Sequence, residues 1–416
     1  MPHFIARKQL ESSASKLDSM PYAYKLDSIR SSNVALIAVP YVYQNKPRLC
    51  FVYEITRAND VLLKGVKSLR PIPSGLLKNA LQALSKHYDV LHENLAHTAL
   101  KQNIDSPFLL SDGEIVELLK SSQDTYSQVF VEIGFGSGRH IVHLAKEHRD
   151  TLVIGLEIHT PSVEQVLRQI EILDLENLYI SCLDARQFLH AAISDSVGQM
   201  FIHFPVPWNS AKNRRVLNGA LLQEVMRVLK QTGSLEFRTD DREYFEDVLA
   251  LAQANQYASF THTINAKQSI TSKYEARWLA QEKDIFTITI TPNAKTPPRD
   301  SREIGQKCGF RFDKKLVKST LAKASSDCFA HLWEKRRFAQ GFLCVYDAFI
   351  SRAQDRVAFL VHFGDFQYPC TRLIVLECIE IAGVLEYQGH YFPEPPLQSH
   401  ANAQAHELFI NILEKL

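Results

Sequence analysis

Residues 131–138 read Val-Glu-Ile-Gly-Phe-Gly-Ser-Gly, and no other stretch of the chain constrains the fold as strongly. Val129, Phe130 and Val131 lead in as a strand, Glu132 follows, and glycine then takes every second position at Gly134, Gly136 and Gly138. Ile141, Val142, Leu144 and Ala145 begin a helical repeat at once. Strand, tight glycine turn and helix, in this order, are the opening unit of a nucleotide-binding α/β sheet. The glycines let the backbone turn sharply and let a ligand lie against it, where a Cβ would intrude.

The pattern continues in register. Leu152–Leu156 is a second buried strand, and it ends at Glu157, twenty-five residues after Glu132. An acid at that strand tip can accept hydrogen bonds from both ribose hydroxyls of an adenosine ligand. Thr160 is placed to cap the next helix, Pro161 suits its first turn, and Val163, Val166, Leu167 and Ile170 recur at helical spacing. A third strand, Leu178–Leu183, runs into Asp184-Ala185. Three successive strand tips therefore offer Glu132, Glu157 and Asp184. The dinucleotide fingerprint G-x-G-x-x-G would place a third glycine where this chain has Arg139, which disfavours a nicotinamide enzyme.

A fourth strand, Met200–Phe204, ends in Pro205-Val206-Pro207-Trp208. Lys212, Arg214 and Arg215 follow, then a helix carrying Leu217, Leu221, Leu222, Val225 and Leu229. Leu235–Arg238 is a fifth strand and leads into Thr239-Asp240. Prolines at a strand tip fix the backbone and stop further pairing. A tryptophan face beside a basic cluster suits a nucleobase and its phosphates.

These segments together resemble the bacterial tRNA (guanine-N7)-methyltransferases of the TrmB family. The resemblance is carried by VEIGFGSG (131–138), IGLEIHTPSV (154–163), LDA (183–185), FPVPW (204–208), the basic run ending at Arg214-Arg215, FRTDDREY (237–244) and SKYEARW (272–278), and covers roughly residues 128–292. It implies a class I methyltransferase, a Rossmann-like α/β sheet, with S-adenosyl-L-methionine as cofactor and tRNA as partner. By resemblance, Glu132, Gly134, Gly136, Gly138, Glu157 and Asp184 bind the cofactor. Trp208, Lys212, Arg214, Arg215, Asp240, Ser272 and Glu275 face the RNA, with Asp240 in the catalytic position. The reaction implied is methyl transfer to N7 of a guanine in the tRNA variable loop.

Two positions depart from the family pattern. The acid usually found between the two prolines is Val206 here, and the lysine usually found two residues past the tryptophan is Ser210. Guanine N7 carries a lone pair and no proton, so the transfer needs alignment more than a general base. The missing acid bears instead on how the guanine edge is held. Val206 is also the feature that favours a non-catalytic S-adenosylmethionine- and RNA-binding protein. A small-molecule methyltransferase is the third reading, and such a site has no need of Pro-Val-Pro-Trp beside Arg214-Arg215.

At 416 residues the chain has room for two to three domains. No apolar run approaches the ~18 residues of a membrane span, and the N-terminus lacks a basic segment followed by an apolar one. The 7 cysteines form no C-x-x-C, and the 16 histidines show no metal-ligand spacing, so neither a metal site nor a disulfide framework is expected. That usage fits a reducing, cytoplasmic setting. His203, at a strand tip, reads as a packed or partly exposed histidine rather than a catalytic base. Net charge is only +1, yet residues 295–337 hold 12 Lys and Arg against 5 Asp and Glu, among them Lys335-Arg336-Arg337. Such an excess on one face would contact phosphates.

The flanks read as α+β extensions. Val34–Val39 and Leu49–Ile55 alternate as a hairpin, and Leu76–Leu84 follows as a helix. Strands near Phe342–Ser351, Arg356–Phe363, Leu373–Glu377 and Gly383–Tyr387 precede a last helix through Leu408–Leu413. The expected division is an N-terminal extension over 1–125, a methyltransferase domain over 126–297, and a C-terminal extension with a basic entry segment over 298–416. The two ends could be one module, duplicated or completed across the core.

Overall fold

A computed structural model describes residues 2–8, 21–43, 46–69, 75–95, 106–266, 281, 283–297, 308–325, 328–329, 332–353 and 355–416. The chain forms two units, Ser106–Ile304 and Met1–Asp105 with Gly305–Leu416. Residues 106–125, expected with the N-terminal extension, belong to the first of these. The reason is a strand-like strip along the sheet edge: Ile180 N–H donates to Phe108 O (2.8 Å) and Leu110 N–H to Ile180 O (2.9 Å). A capping box between Ser111 and Glu114 then starts helix α2, Asp112–Ser121.

The 106–304 unit is built on a seven-stranded sheet. Its strands are β7 Gln128–Ile133, β8 Thr151–Leu156, β9 Leu178–Ser181, β10 Val197–His203, β11 Leu229–Thr239, β12 Ala258–Ile264 and β13 Phe286–Pro292. Their spatial order is β12-β13-β11-β10-β7-β8-β9. β7 to β11 are mutually parallel, and β13 runs antiparallel between β11 and β12. Every residue of β8 is buried, as strands covered on both faces require. The covering helices bury the apolar stripes that the sequence displays: Ile141, Val142, Leu144 and Ala145 from α3 (Arg139–Glu147), and Val163, Val166, Leu167 and Ile170 from α4 (Thr160–Ile172). Thr160 was the expected cap of α4. The helix instead starts one residue earlier, with His159 as N-cap and no side-chain capping bond, while His159 Nδ1 lies 2.9 Å from Ser162 Oγ. Helices α5 Ala185–Ala191, α6 Gly219–Val228 and α7 Arg242–Ala254 complete the layers. From β7 the chain winds outward to β8 and β9 and later returns to β10 on the other side. The strand order therefore reverses between β7 and β10, and ligands of open α/β sheets bind outside the carboxyl ends at such a reversal.

The other unit joins both ends of the chain in one antiparallel sheet of 11 strands. The N-terminal strands are β1 His3–Arg7, β2 Tyr24–Ser28, β3 Val34–Tyr43, β4 Lys46–Thr56, β5 Asp60–Gly65 and β6 Val90–Glu93. The C-terminal strands are β14 Arg336–Phe338, β15 Gly341–Ser351, β16 Arg356–Asp365, β17 Cys370–Ile381 and β18 Val384–Phe392. The order is β18-β17-β16-β15-β2-β3-β4-β5-β1-β6, with β14 paired to β15. The seam is β15 against β2, in register Phe349↔Ser28, Ile350↔Asp27 and Ser351↔Leu26. Helix α1 (Gly75–Ser85) covers the N-terminal strands through Leu77, Ala80, Leu81 and Leu84. Helices α8 (Lys314–Lys323) and α9 (His400–Glu414) cover the C-terminal ones through Val317, Leu321, Phe409 and Leu413.

Candidate active site

The glycine turn sits at the carboxyl end of β7. Gly134, Gly136 and Gly138 all have positive φ, at 72°, 52° and 76°. A Cβ at Gly138 would lie 2.0 Å from Val166 Cγ2, so this glycine lets α3 and α4 pack together. A Cβ at Gly134 would meet nothing within 4 Å, so the loop presents bare backbone to open space. Glu157, just past β8, braces the turn: Oε2 accepts from Gly136 N–H (2.9 Å) and Oε1 from His159 N–H (2.8 Å). Asp184 is the N-cap of α5 and accepts from Arg186 N–H at 2.9 Å, while the Arg186 guanidinium donates to both its oxygens at 2.9 and 2.6 Å.

Glu132 is buried within β7 and does not stand alone. Its Oε2 lies 2.9 Å from His140 Nδ1 in the first turn of α3. Across the strand reversal, His203 Nε2 at the tip of β10 lies 2.8 Å from Glu236 Oε1 on β11, and the two imidazole rings are 4.5 Å apart. His203 is thus a packed histidine, as its sequence position suggested. Burial alone would lower the His140 pKa, but the charge and hydrogen bond of Glu132 carry it above the ordinary histidine value. Burial lowers that of His203, and the neighbouring His140 adds to the effect. Glu236 is pulled below the usual carboxylate range by the hydrogen bond and charge of His203, against the opposing effect of its burial. Among the described residues, donor atoms of Glu132, His140 and His203 lie within 4.8 Å of one another, close enough for a metal ion. Each is already engaged in a histidine–carboxylate hydrogen bond, so the group is built as two such pairs.

The proline-flanked loop after β10 holds its aromatics in a conformation that L side chains rarely adopt: φ is 50° at Phe204 and 45° at Trp208. Strain of this kind at non-glycine residues concentrates at functional sites. Trp208 is 39% and Val206 61% exposed, so neither is core packing. The Arg214 guanidinium lies over the indole, 5.1 Å from its centroid.

Two of the basic residues expected to reach RNA have other work. Arg215 is only 4% exposed. Its Nε donates to Pro207 O at 2.5 Å, its Nη2 to Asn209 Oδ1 at 2.8 Å and its Nη1 to Asp247 Oδ2, and its plane lies 4.5 Å over the Tyr244 ring. Every donor faces protein, so Arg215 clamps the loop onto α7 and does not reach a phosphate. Lys212 is exposed and pairs with Glu243 (2.6 Å) and Asp247 (3.0 Å) of the same helix. Asp240, at the tip of β11, is paired with Lys283 at 3.2 Å. Ser272, Glu275 and the rest of the SKYEARW segment lie outside the described residues. Sequence reading missed His140, Glu236, Asp247 and Lys283, which become visible only as partners of residues it named.

A parallel sheet continued by an antiparallel β13 and β12, a bare glycine turn at the strand reversal and acids at the carboxyl ends of successive strands define a class I methyltransferase. Residues 126–288 match the family described as "Putative methyltransferase". A tRNA (guanine-N(7)-)-methyltransferase of Helicobacter hepaticus is 34% identical, over 99% of both chains. That of Helicobacter pylori is 35% identical over 100% of this chain and 99% of its own, and that of Campylobacter fetus 29% over 98% and 97%. The chain belongs to the tRNA (guanine-N(7)-)-methyltransferase family. No helix among the described residues is long and apolar enough to cross a membrane.

Proposed function

We propose that this chain transfers a methyl group from S-adenosyl-L-methionine to N7 of a guanine in the tRNA variable loop. The observation that carries the reading is the match to named relatives over 99% of both lengths, joined to an open glycine turn at the sheet's switch point. The residues present fit the cofactor. The turn offers backbone with open space before it, and Glu157 stands at the neighbouring strand tip. Each of its oxygens accepts one backbone N–H and keeps further lone pairs for the two ribose hydroxyls. Buried Glu132, held by His140, and Asp184 would complete the cofactor site.

When bound, the cofactor supplies an electrophilic sulfonium methyl. The acceptor N7 has a free lone pair, so the protein's part is to align the guanine and exclude water. Trp208 would offer the base the indole face that Arg214 does not cover, and Arg214 a cation for the adjoining phosphate. Lys212 contributes through the loop-to-α7 pairs. Asp240 would take the role that Val206 has vacated, with its carboxylate held by Lys283. By the family resemblance, Ser272 and Glu275 would contact the same base.

Incubation with methyl-labelled S-adenosylmethionine and total tRNA, followed by nucleoside analysis and mapping, tests the reading. Label in 7-methylguanosine of the variable loop is expected. Cofactor binding with no label in RNA would overturn it and favour the non-catalytic alternative.

A further inference from the structure

One face of the unit formed by the chain's two ends carries an aromatic row, buried at Phe342 and exposed at Tyr346 and Phe366, that the methyl-transfer site does not use. On β15, Leu343 and Val345 point into the core beneath α8 and α9, so Phe342, Cys344 and Tyr346 point the other way. His362 pairs opposite Cys344 from β16, and Phe366 follows the end of that strand. The rings line up: Phe366 stacks on Phe342 with centroids 6.0 Å apart and planes at 26°, and Tyr346 on His362 at 5.7 Å and 20°. Phe342 meets His362 at 5.3 Å, which joins the two pairs. His362 is anchored from below, with Nδ1 2.9 Å from Thr371 Oγ1 on β17. Tyr346 and Phe366 are 46% and 47% exposed, although rings of this size are normally covered.

Cations flank the row. β14 lies on β15 with Arg337 opposite Phe342, which puts the exposed Lys335 and Arg337 on the aromatic face. Lys335 Nζ stands 4.0 Å above the Phe342 ring. At the Tyr346 end, Arg30 donates through Nη1 to Tyr346 O at 2.7 Å, with its guanidinium over the Trp333 ring on the α8/α9 side. Asp347, on the same face by its pairing with Leu360, accepts from Ser28 Oγ at 2.9 Å. A flat sheet face with stacked rings, bordered by Lys and Arg, matches the chemistry of unpaired nucleotides: bases stack on the rings and phosphates meet the cations. A double helix cannot use it, because its bases are already stacked.

We propose that this face, centred on Tyr346 and Phe366, is a base-stacking platform that holds unpaired nucleotides of the tRNA substrate. It rests on the reading above that the substrate is tRNA.

The test uses the full-length protein, unfractionated tRNA and a 12-nucleotide oligouridine. Stacking contributes enough per base that Tyr346→Ala with Phe366→Ala should weaken binding of both RNAs by about 10- to 100-fold. The loss should appear in KM for tRNA more than in kcat, with cofactor affinity kept. Tyr346→Phe with Phe366→Tyr should restore binding, because the rings return. Lys335→Ala with Arg337→Ala should flatten the salt dependence of binding by about 0.7–0.9 for each phosphate no longer neutralised, which the aromatic pair should not do. Both side chains are exposed, so unfolding midpoints should match the parent. Unchanged affinity for both RNAs in the aromatic double variant overturns the platform and turns the face over to a protein partner, while a parent that methylates tRNA leaves the substrate reading standing. A parent that neither binds nor methylates tRNA overturns both.

Discussion

Replacing Arg215 with alanine separates a structural clamp from a phosphate contact. The guanidinium donates to the Pro207 carbonyl and the Asn209 side chain, and a hydrogen bond to a charged group contributes about 1.5–3 kcal/mol. Asp247 is 43% exposed, so water replaces most of that ion pair and its share is at most about 1 kcal/mol. The Tyr244 stack adds about 0.5–1 kcal/mol. Water entering as the loop loosens recovers part of this, which leaves a loss of about 3 kcal/mol. For a unit of this size each kcal/mol moves the midpoint by roughly 2–4 °C, so thermal unfolding should fall by about 6–12 °C. Freed from α7, the loop no longer fixes Trp208, and misplacement of that order can cost about 10²-fold in kcat/KM for tRNA. Cofactor affinity should hold, since the glycine turn and Glu157 belong to other strand tips. Calorimetry with S-adenosylmethionine, thermal unfolding and tRNA kinetics across salt provide the readouts. An unchanged midpoint together with a flatter salt slope would refute the clamp and restore Arg215 to the RNA surface.

Glu157→Ala should weaken S-adenosylmethionine binding at least ~10-fold, because charged-group bonds contribute more than the 1.4 kcal/mol that makes a decade; calorimetry on the folded variant showing parental affinity would sink the assignment. Asp240→Asn should lower turnover on tRNA by ~10²-fold with cofactor affinity kept, whereas Val206→Asp should stay active, since Val206 is exposed and a carboxylate has room there. His140 should titrate above and His203 below the ordinary histidine value in an NMR titration, and the reverse order would contradict the pairing described. A raised histidine stabilises the fold fully below its unfolded value of about 6.5 and loses that contribution as pH rises through its folded value. His140→Asn should therefore cost more stability at pH 6 than at pH 9, and equal losses at both would count against the Glu132 pair.

The methyltransferase unit was legible because its signals are local. Short apolar runs and 3.6-residue repeats mark β7 to β11 and their helices, and glycine at 134, 136 and 138 marks a turn whose φ angles other residues avoid. The acids at the strand tips follow from chain order alone. The residue types at 212–215 were equally plain, yet their roles were not. Whether Arg215 faces solvent depends on Asp247 in another helix, and no local pattern encodes that pairing. The same holds for His140 and His203, which meet Glu132 and Glu236 only after β7, β10 and β11 lie side by side. The flanks show the limit most clearly. Their hairpins are readable one by one, but a strand's sequence does not name its neighbour. Ser28 Oγ reaches Asp347 across 319 residues, and that seam turns two extensions into one sheet. Periodicity fixes which residues point inward, while the pairing of distant edges is decided by backbone hydrogen bonds and shared apolar cover that exist only in the folded chain.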